Sequence, residues 1–208
     1  MCGFIYSAIE VFRELTFAAV GKDIVKFRRF SVEGTMKGEF GNLVTILCIG
    51  DYLITTSEDG YLCVWNYTSM ELIRTINLGR DFHPSFVMHP NTYLNKVLVG
   101  SASGKLQLWN IRSGSLIMDF KGYNSAITYI EQTPSVDVVA VGLATGEIDV
   151  LNLKFDEVFF ALSSFYIVEC NAFPTSFFDN KPFLLYEHGK GSSDAECWRR
   201  WSRLHLEY

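Results

Sequence analysis

The feature that most constrains this 208-residue chain is that it copies itself. Three stretches align: Leu53–Asn66, Val97–Asn110 and Val139–Asn152. Each opens on a short apolar run and turns at a glycine: Gly60, Gly104 or Gly146. Each then alternates polar and apolar residues and closes on a large apolar side chain followed by asparagine. The closing pairs are Trp65-Asn66, Trp109-Asn110 and Leu151-Asn152. The glycines stand 44 and 42 residues apart.

The alternation identifies strands. Leu106 and Leu108 alternate with Lys105 and Gln107, and Ile148 and Val150 with Glu147 and Asp149. A period of two places apolar residues on one face of a half-buried strand. A further strand follows the turn Tyr67-Thr68-Ser69 over Leu72–Ile76, and another follows Arg112-Ser113-Gly114 over Leu116–Phe120. Lys37-Gly38 then leads into Val44–Ile49, and Lys121-Gly122 into Ile127–Glu131, as innermost strands. Four strands in each unit of about 40–45 residues is the propeller-blade signature. Weaker copies flank the three units. Leu15–Gly21 with Ile24–Arg28 matches two central strands, Phe27 standing near the Trp place. Downstream, Thr175–Phe178, Phe183–Leu185 and Gly189–Gly191 match the first half of a blade. The fold expected is all-β: a partial WD40-like β-propeller of about three blades plus a partial one, each a four-stranded antiparallel sheet. It spans residues 14–191, with an N-terminal segment 1–13 and an irregular tail 192–208. Ile5, Ala8, Ile9 and Phe12 fit a helical face, although a blade strand would be apolar too.

Composition narrows the class. Apolar residues are 49% and aromatics 15%, enough for a real core and too much for a disordered chain. A net charge of −5 argues against a general nucleic-acid footprint. No positive region precedes the apolar N-terminus, so no signal peptide is expected. The longest apolar run, Val158–Val168, is too short for a membrane helix of roughly 20 residues. The chain reads as soluble and non-secreted. Five cysteines without C-x-x-C spacing read as reduced, mostly buried thiols, with a zinc or redox site as the alternative.

At the turn-plus-Trp repeats the chain resembles the WD-repeat propellers. The usual closing Trp-Asp is Trp-Asn or Leu-Asn here, and the opening Gly-His is Gly38-Glu39 or Gly122-Tyr123. Ser57 and Asp59 keep the polar turn of the family, whereas Ser103 and Thr145 replace its aspartate in the later units. A narrower resemblance rests on His89–Gly100, Gly104–Asn110, Pro134–Gly142 and Asn152–Phe155, which are not general WD-repeat consensus. These stretches look like the N-terminal propeller of the WD repeat-containing protein 36 family, the U three protein twenty-one of the small-subunit processome. The resemblance implies a non-catalytic scaffold in the nucleus and nucleolus. Its partners would be other WD-repeat processome proteins of the UtpB subcomplex. The U3 small nucleolar RNA and pre-rRNA particle would be held indirectly, during 18S rRNA processing. Members of that family are far longer. An open arc would leave sheet edges and apolar faces in water, so a fragment of a longer propeller is expected.

Catalytic chemistry is not legible. Gly100–Gly104 has the outline of a nucleophile elbow with Ala102 at the nucleophile place. Gly189–Ser193 lacks the full phosphate-loop pattern. His83, His89, His188 and His205 show no zinc-like spacing, and Glu58-Asp59 reads as a solvated turn. No catalytic residue, cofactor, metal, membrane or small-molecule substrate is expected. Two basic groups could touch RNA: Lys22, Lys26, Arg28 and Arg29 near the first blade, and Trp198, Arg199, Arg200 and Arg203 in the tail. A solvated face is the plainer reading of the first group; the second can equally be a short helix end or sequence with no evolved structure. The competing functions are a WD-repeat adaptor in another complex and a truncated fragment without function of its own.

Overall fold

The computed structural model describes residues 7–29 and 31–162, and no helix occurs among them. Sixteen strands form four separate four-stranded sheets. The first blade is β1 (Ala8–Phe12), β2 (Leu15–Val20), β3 (Asp23–Arg28) and β4 (Ser31–Met36). The second is β5 (Leu43–Ile49), β6 (Tyr52–Ser57), β7 (Tyr61–Asn66) and β8 (Glu71–Asn77). The third is β9 (Pro84–Met88), β10 (Lys96–Ser101), β11 (Leu106–Asn110) and β12 (Ser115–Asp119). The fourth is β13 (Ile127–Gln132), β14 (Val138–Leu143), β15 (Ile148–Asn152) and β16 (Glu157–Leu162). Within each blade the strands pair antiparallel in chain order. The first strands lie innermost: β1, β5, β9 and β13 follow one another blade to blade. Among the described residues the propeller is not closed.

Two expectations change in detail. The weak N-terminal copy is a whole blade, and Ala8–Phe12 is its innermost strand rather than a helical face. Ala8 pairs with Ala19 and Phe12 with Leu15. Five residues of alternating burial satisfy a sheet, while a helix needs a longer amphipathic run. The half blade read at Thr175–Gly191 lies outside the described residues.

The blades pack face to face, and three apolar seams result. Phe17, Ile24 and Met36 of the first blade meet Leu43, Leu53 and Trp65 of the second. Ile54, Leu62 and Val64 meet Val97, Val99 and Trp109. Leu98, Leu106 and Leu108 meet Ile127, Val139 and Leu151. Most apolar strand residues of the repeats are buried, from Ile46 and Leu53 through Val139 and Val141. Val44, Ile148 and Val150 are only half-buried. Val44 sits unpaired in the bulge between Leu43 and Thr45. Ile148 and Val150 lie on the face of the fourth blade turned away from the third. Each outermost strand also carries a bulge at the same place, leaving Glu33, Ile73, Ile117 and Phe159 unpaired. Bulges of this kind blunt an edge strand against further pairing.

Candidate interaction surface

The two ends of the blades are built from different chemistry. At one end lie the turns between the second and third strands. Gly60, Gly104 and Gly146 hold φ of 83°, 83° and 85° there. Only glycine adopts that backbone without strain. Space is tight as well, because a Cβ at Gly104 would sit 2.1 Å from the Tyr123 carbonyl oxygen. In the second blade Ser57 Oγ donates to Asp59 Oδ1 (2.5 Å), and the Gly41 amide donates to Asp59 Oδ2 (3.0 Å). Asn42 Nδ2 donates to Glu58 Oε1 (3.0 Å). Glu58-Asp59 therefore clamps the connector arriving from the first blade. Its two carboxylates each hold a separate donor rather than converging as an acid–base pair.

The polar wiring continues with other residue types. Trp65 Nε1 donates to Thr55 Oγ1 at 3.1 Å, and Trp109 Nε1 to Gln107 Oε1 at 3.1 Å. Ser101 and Ser103 hydroxyls bond at 3.0 Å, so Ser103 takes over part of the Asp59 role. In the fourth blade Thr145 Oγ1 donates to Glu147 Oε2 (2.9 Å), and Leu151 fills the Trp place without a donor. Tyr123 stands where the wider WD-repeat pattern has histidine. Its hydroxyl is buried with no hydrogen-bond partner among the described residues. Desolvation, with Asp149 and Asp156 nearby, pushes that phenol upward.

The three asparagines act at the opposite end. Asn66 Oδ1 accepts from the Thr68 and Ser69 amides, Asn110 from Arg112 and Ser113, and Asn152 from Lys154 and Phe155, all at 2.8–3.3 Å. Each side chain thus caps the tight turn into the outer strand. Loops between the first and second strands of each blade emerge at this same end. Leu94 and Val136 stand at the tips of two of these loops, and Phe155 in the turn from β15 to β16 at the same end, 81%, 61% and 60% exposed. Gln132 Oε1 reaches across to the Asn91 amide (3.0 Å), tying the loop of the third blade to that of the fourth. His89 Nδ1 lies 2.7 Å from the Lys96 carbonyl and braces the base of the same loop. These apolar side chains were not singled out from sequence, although His89–Gly100, Pro134–Gly142 and Asn152–Phe155 contain all three.

Geometry separates the first basic group. Lys26 is buried in the seam of the first and second blades. Its Nζ donates to the Tyr67 carbonyl (3.1 Å) and pairs with Glu33 (3.1 Å). This corrects its placement among surface cations: alternation turns it toward the second blade, where Val64, Leu108 and Val150 stand in later units. Arg28 pairs with Glu33 and Glu14, and Arg29 with Glu14 (3.8 Å). The Glu33 carboxyl is held below its usual range by hydrogen bonds from Arg28 and Lys26. Lys22 is exposed. Trp198, Arg199, Arg200 and Arg203 lie outside the described residues. Among those described, no three His, Cys, Asp or Glu side chains gather as a metal site. A cleft of about 490 Å³ lies between the outer parts of the third and fourth blades, lined in part by Phe120, Tyr123 and Phe159.

Comparison with known proteins gives the surface a lineage. The family model of the WDR36/Utp21 first beta-propeller matches residues 6–192. WD repeat-containing protein 36 of Homo sapiens is 39% identical over 145 residues, covering 69% of this chain and 16% of its own length. The U3 small nucleolar RNA-associated protein 21 homolog of Schizosaccharomyces pombe is 29% identical over 155 residues, 71% of this chain and 17% of its own. The chain thus spans about a sixth of the length of these relatives. Among solved structures, the WD40 beta propeller domain of Doa1 superposes with a TM-score of 0.63 at 18% identity, over 74% of this chain and 53% of that one. Four antiparallel blades, their repeated turns and the match over residues 6–192 together place this chain in the WDR36/Utp21 first beta-propeller family.

Proposed function

We propose that this chain contributes a non-catalytic WD-repeat scaffold to the small-subunit processome, in the nucleolus, during 18S rRNA processing. The family match over residues 6–192 carries this reading, because relatives that share it are named as U3 small nucleolar RNA-associated. The blade architecture supports it. A stack of short-looped sheets is a rigid carrier for surface groups. The end bearing Leu94, Val136 and Phe155 offers apolar anchors of the sort that protein partners bury. The partners best matched to such a surface are other WD-repeat proteins of the UtpB subcomplex. RNA would be held mainly through them, since Lys26, Arg28 and Arg29 are engaged in ion pairs.

The test is a pull-down of the tagged 208-residue chain from its own cells, with U3 small nucleolar RNA measured against a tag-only control. Enrichment is expected. A substitution of Leu94→Asp together with Val136→Asp should remove it without changing the strand spectrum. Absence of U3 RNA from a soluble, normally expressed chain would defeat the reading. An adaptor in another complex, or a fragment without its own activity, would then remain.

A further inference from the structure

One position repeats at the start of each outermost strand. Ser31, Glu71, Ser115 and Glu157 open β4, β8, β12 and β16, and each pairs with the last residue of the strand before it. All four are exposed. Two blades carry a fixed carboxylate there, so the fold accepts an anion at this place. The first and third carry a hydroxyl instead.

The first blade frames its hydroxyl in a particular pattern, Arg28-Arg29-Phe30-Ser31-Val32. Arginines stand three and two places before the serine, and an apolar residue follows it. Kinases select substrates by charge pattern. An arginine-directed serine/threonine kinase takes two such guanidinium groups on its own carboxylates and the following side chain in an apolar pocket. Packing does not explain Val32, which is 62% exposed. Arg28 and Arg29 are 52% and 75% exposed. The third blade has a weaker version, Arg112-Ser113-Gly114-Ser115-Leu116, with one arginine before the serine.

A kinase binds its target extended, so the hairpin from β3 to β4 must open. The first blade makes that easy. β4 lies at the edge of its sheet, and beyond the bulge only Phe27–Val32 and Arg28–Ser31 still pair. A segment with few buried contacts opens locally at low cost. The same arginines suit the product. Arg28 pairs with Glu33 and lies 3.9 Å from Glu14, and Arg29 lies 3.8 Å from Glu14. With Lys26, which also pairs with Glu33, three cations here meet two carboxylates. A phosphate on Ser31 stands opposite Arg28 in the ladder. It brings a charge of about −1.5 to −2 and three acceptor oxygens to that surplus cation.

We propose that Ser31 is a phosphorylation site for an arginine-directed serine/threonine kinase, and that Arg28 and Arg29 hold the phosphate once it is made. Ser31 Oγ bonds to the γ-phosphorus of a nucleoside triphosphate. The bond from that phosphorus to its bridging oxygen breaks, and the nucleoside diphosphate leaves with the electron pair. A base on the kinase takes the hydroxyl proton. The site is separate from the apolar end proposed to meet partners, and stands or falls without it.

The purified chain, incubated with magnesium ATP and the catalytic subunit of cyclic-AMP-dependent protein kinase, tests the site by peptide mass spectrometry. One phosphoryl group is expected on Ser31 of the folded chain, ahead of any on Ser115. Ser31→Ala should abolish it. Arg28→Gln and Arg29→Gln should each slow labelling by about tenfold or more, the loss of one charge-assisted contact to the kinase. Circular dichroism shows whether each variant keeps its strands, and Val32→Asp supplies a second slow variant that leaves the ion pairs intact. The same phosphopeptide is expected in chain recovered from its own cells with phosphatases blocked. Phosphorus NMR then reads the capture: the phosphoserine should titrate at lower pH in the folded chain than in urea. Label confined to Ser115, label on Ser31 only after unfolding, or no phosphate on Ser31 in cells overturns the site. Equal titration in the folded and unfolded chains overturns the capture by Arg28 and Arg29.

Discussion

The seam between the third and fourth blades and the outward face of the fourth blade are built from the same pattern at different depths. Leu106 and Leu108 are at most 3% exposed, while Ile148 and Val150, their counterparts one repeat later, are half-buried. Gly100 lies against two isoleucines of the next blade, and Gly142, among the described residues, against Thr128 and Tyr129 of its own blade. Sequence alone sets both faces apolar. Only the presence of a following blade makes one of them core. An apolar side chain contributes in proportion to the area it removes from water, so equal residues are worth unequal amounts here.

The widest separation is expected from truncation. Leu106→Ala should cost about 2–5 kcal/mol, as buried leucines do. Ile148→Ala should cost less, about 1–2 kcal/mol, because that side chain is only half-buried. Urea unfolding of both variants checks this, and near-equal losses would mean that the fourth blade is covered in solution. The next largest difference is between the glycines. Gly100→Ala forces a methyl against Ile127 and should cost about 1–3 kcal/mol by overpacking. Gly142→Ala has room and, by restricting the unfolded chain, should be neutral or stabilising by up to about 1 kcal/mol. The shift in urea midpoint should therefore differ in sign or nearly so.

Much of this was legible beforehand, for a physical reason. Gly60, Trp65 and Asn66 recur at fixed spacing because the turn, the packed side chain and the capping amide are local devices. Local devices leave local signals. The first blade was only half legible. Phe27 stands at the Trp place and Lys26 where later units carry Val64 or Leu108, so its pattern is broken by the charge it buries. Ile148 and Val150 could not be told from Leu106 and Leu108, because alternation reports which residues share a face and not what that face meets. The exposed tips Leu94, Val136 and Phe155 were missed for a related reason. A single apolar residue in a loop carries no period.

The polar turns supply a smaller contrast. Asp59→Ala removes acceptors for Ser57 and for the Gly41 amide and should cost about 1–2 kcal/mol, toward the low end of what hydrogen bonds to a charged group contribute because Asp59 is exposed. Thr145→Ala in the fourth blade loses one exposed bond to Glu147 and should stay within about 0.5 kcal/mol. Thermal unfolding of the two variants ranks them. A Thr145 effect as large as that of Asp59 would mean that the degenerate turn has become as structural as the complete one.

The smallest effect concerns the thiols of the closed seam between the first and second blades. Burial pushes Cys63 up to about 11, helped by Asp59 and Glu39, and pushes Cys48 up to about 12, helped by Glu10. Unfolded thiols titrate near 8.5. Between that value and 11–12 the unfolded chain releases protons that the folded one keeps, so the folded state loses stability as pH rises through this window. Below pH 8 the thiol contribution is fully present. Peptide-resolved alkylation at pH 8 should modify Cys48 and Cys63 at least tenfold more slowly than an unfolded control, since only the thiolate attacks. Ile46→Ala, which thins the seam, should speed the modification of Cys63 toward the unfolded rate. Unchanged protection in that variant would show that the second blade alone, and not its packing on the first, keeps water from the thiol.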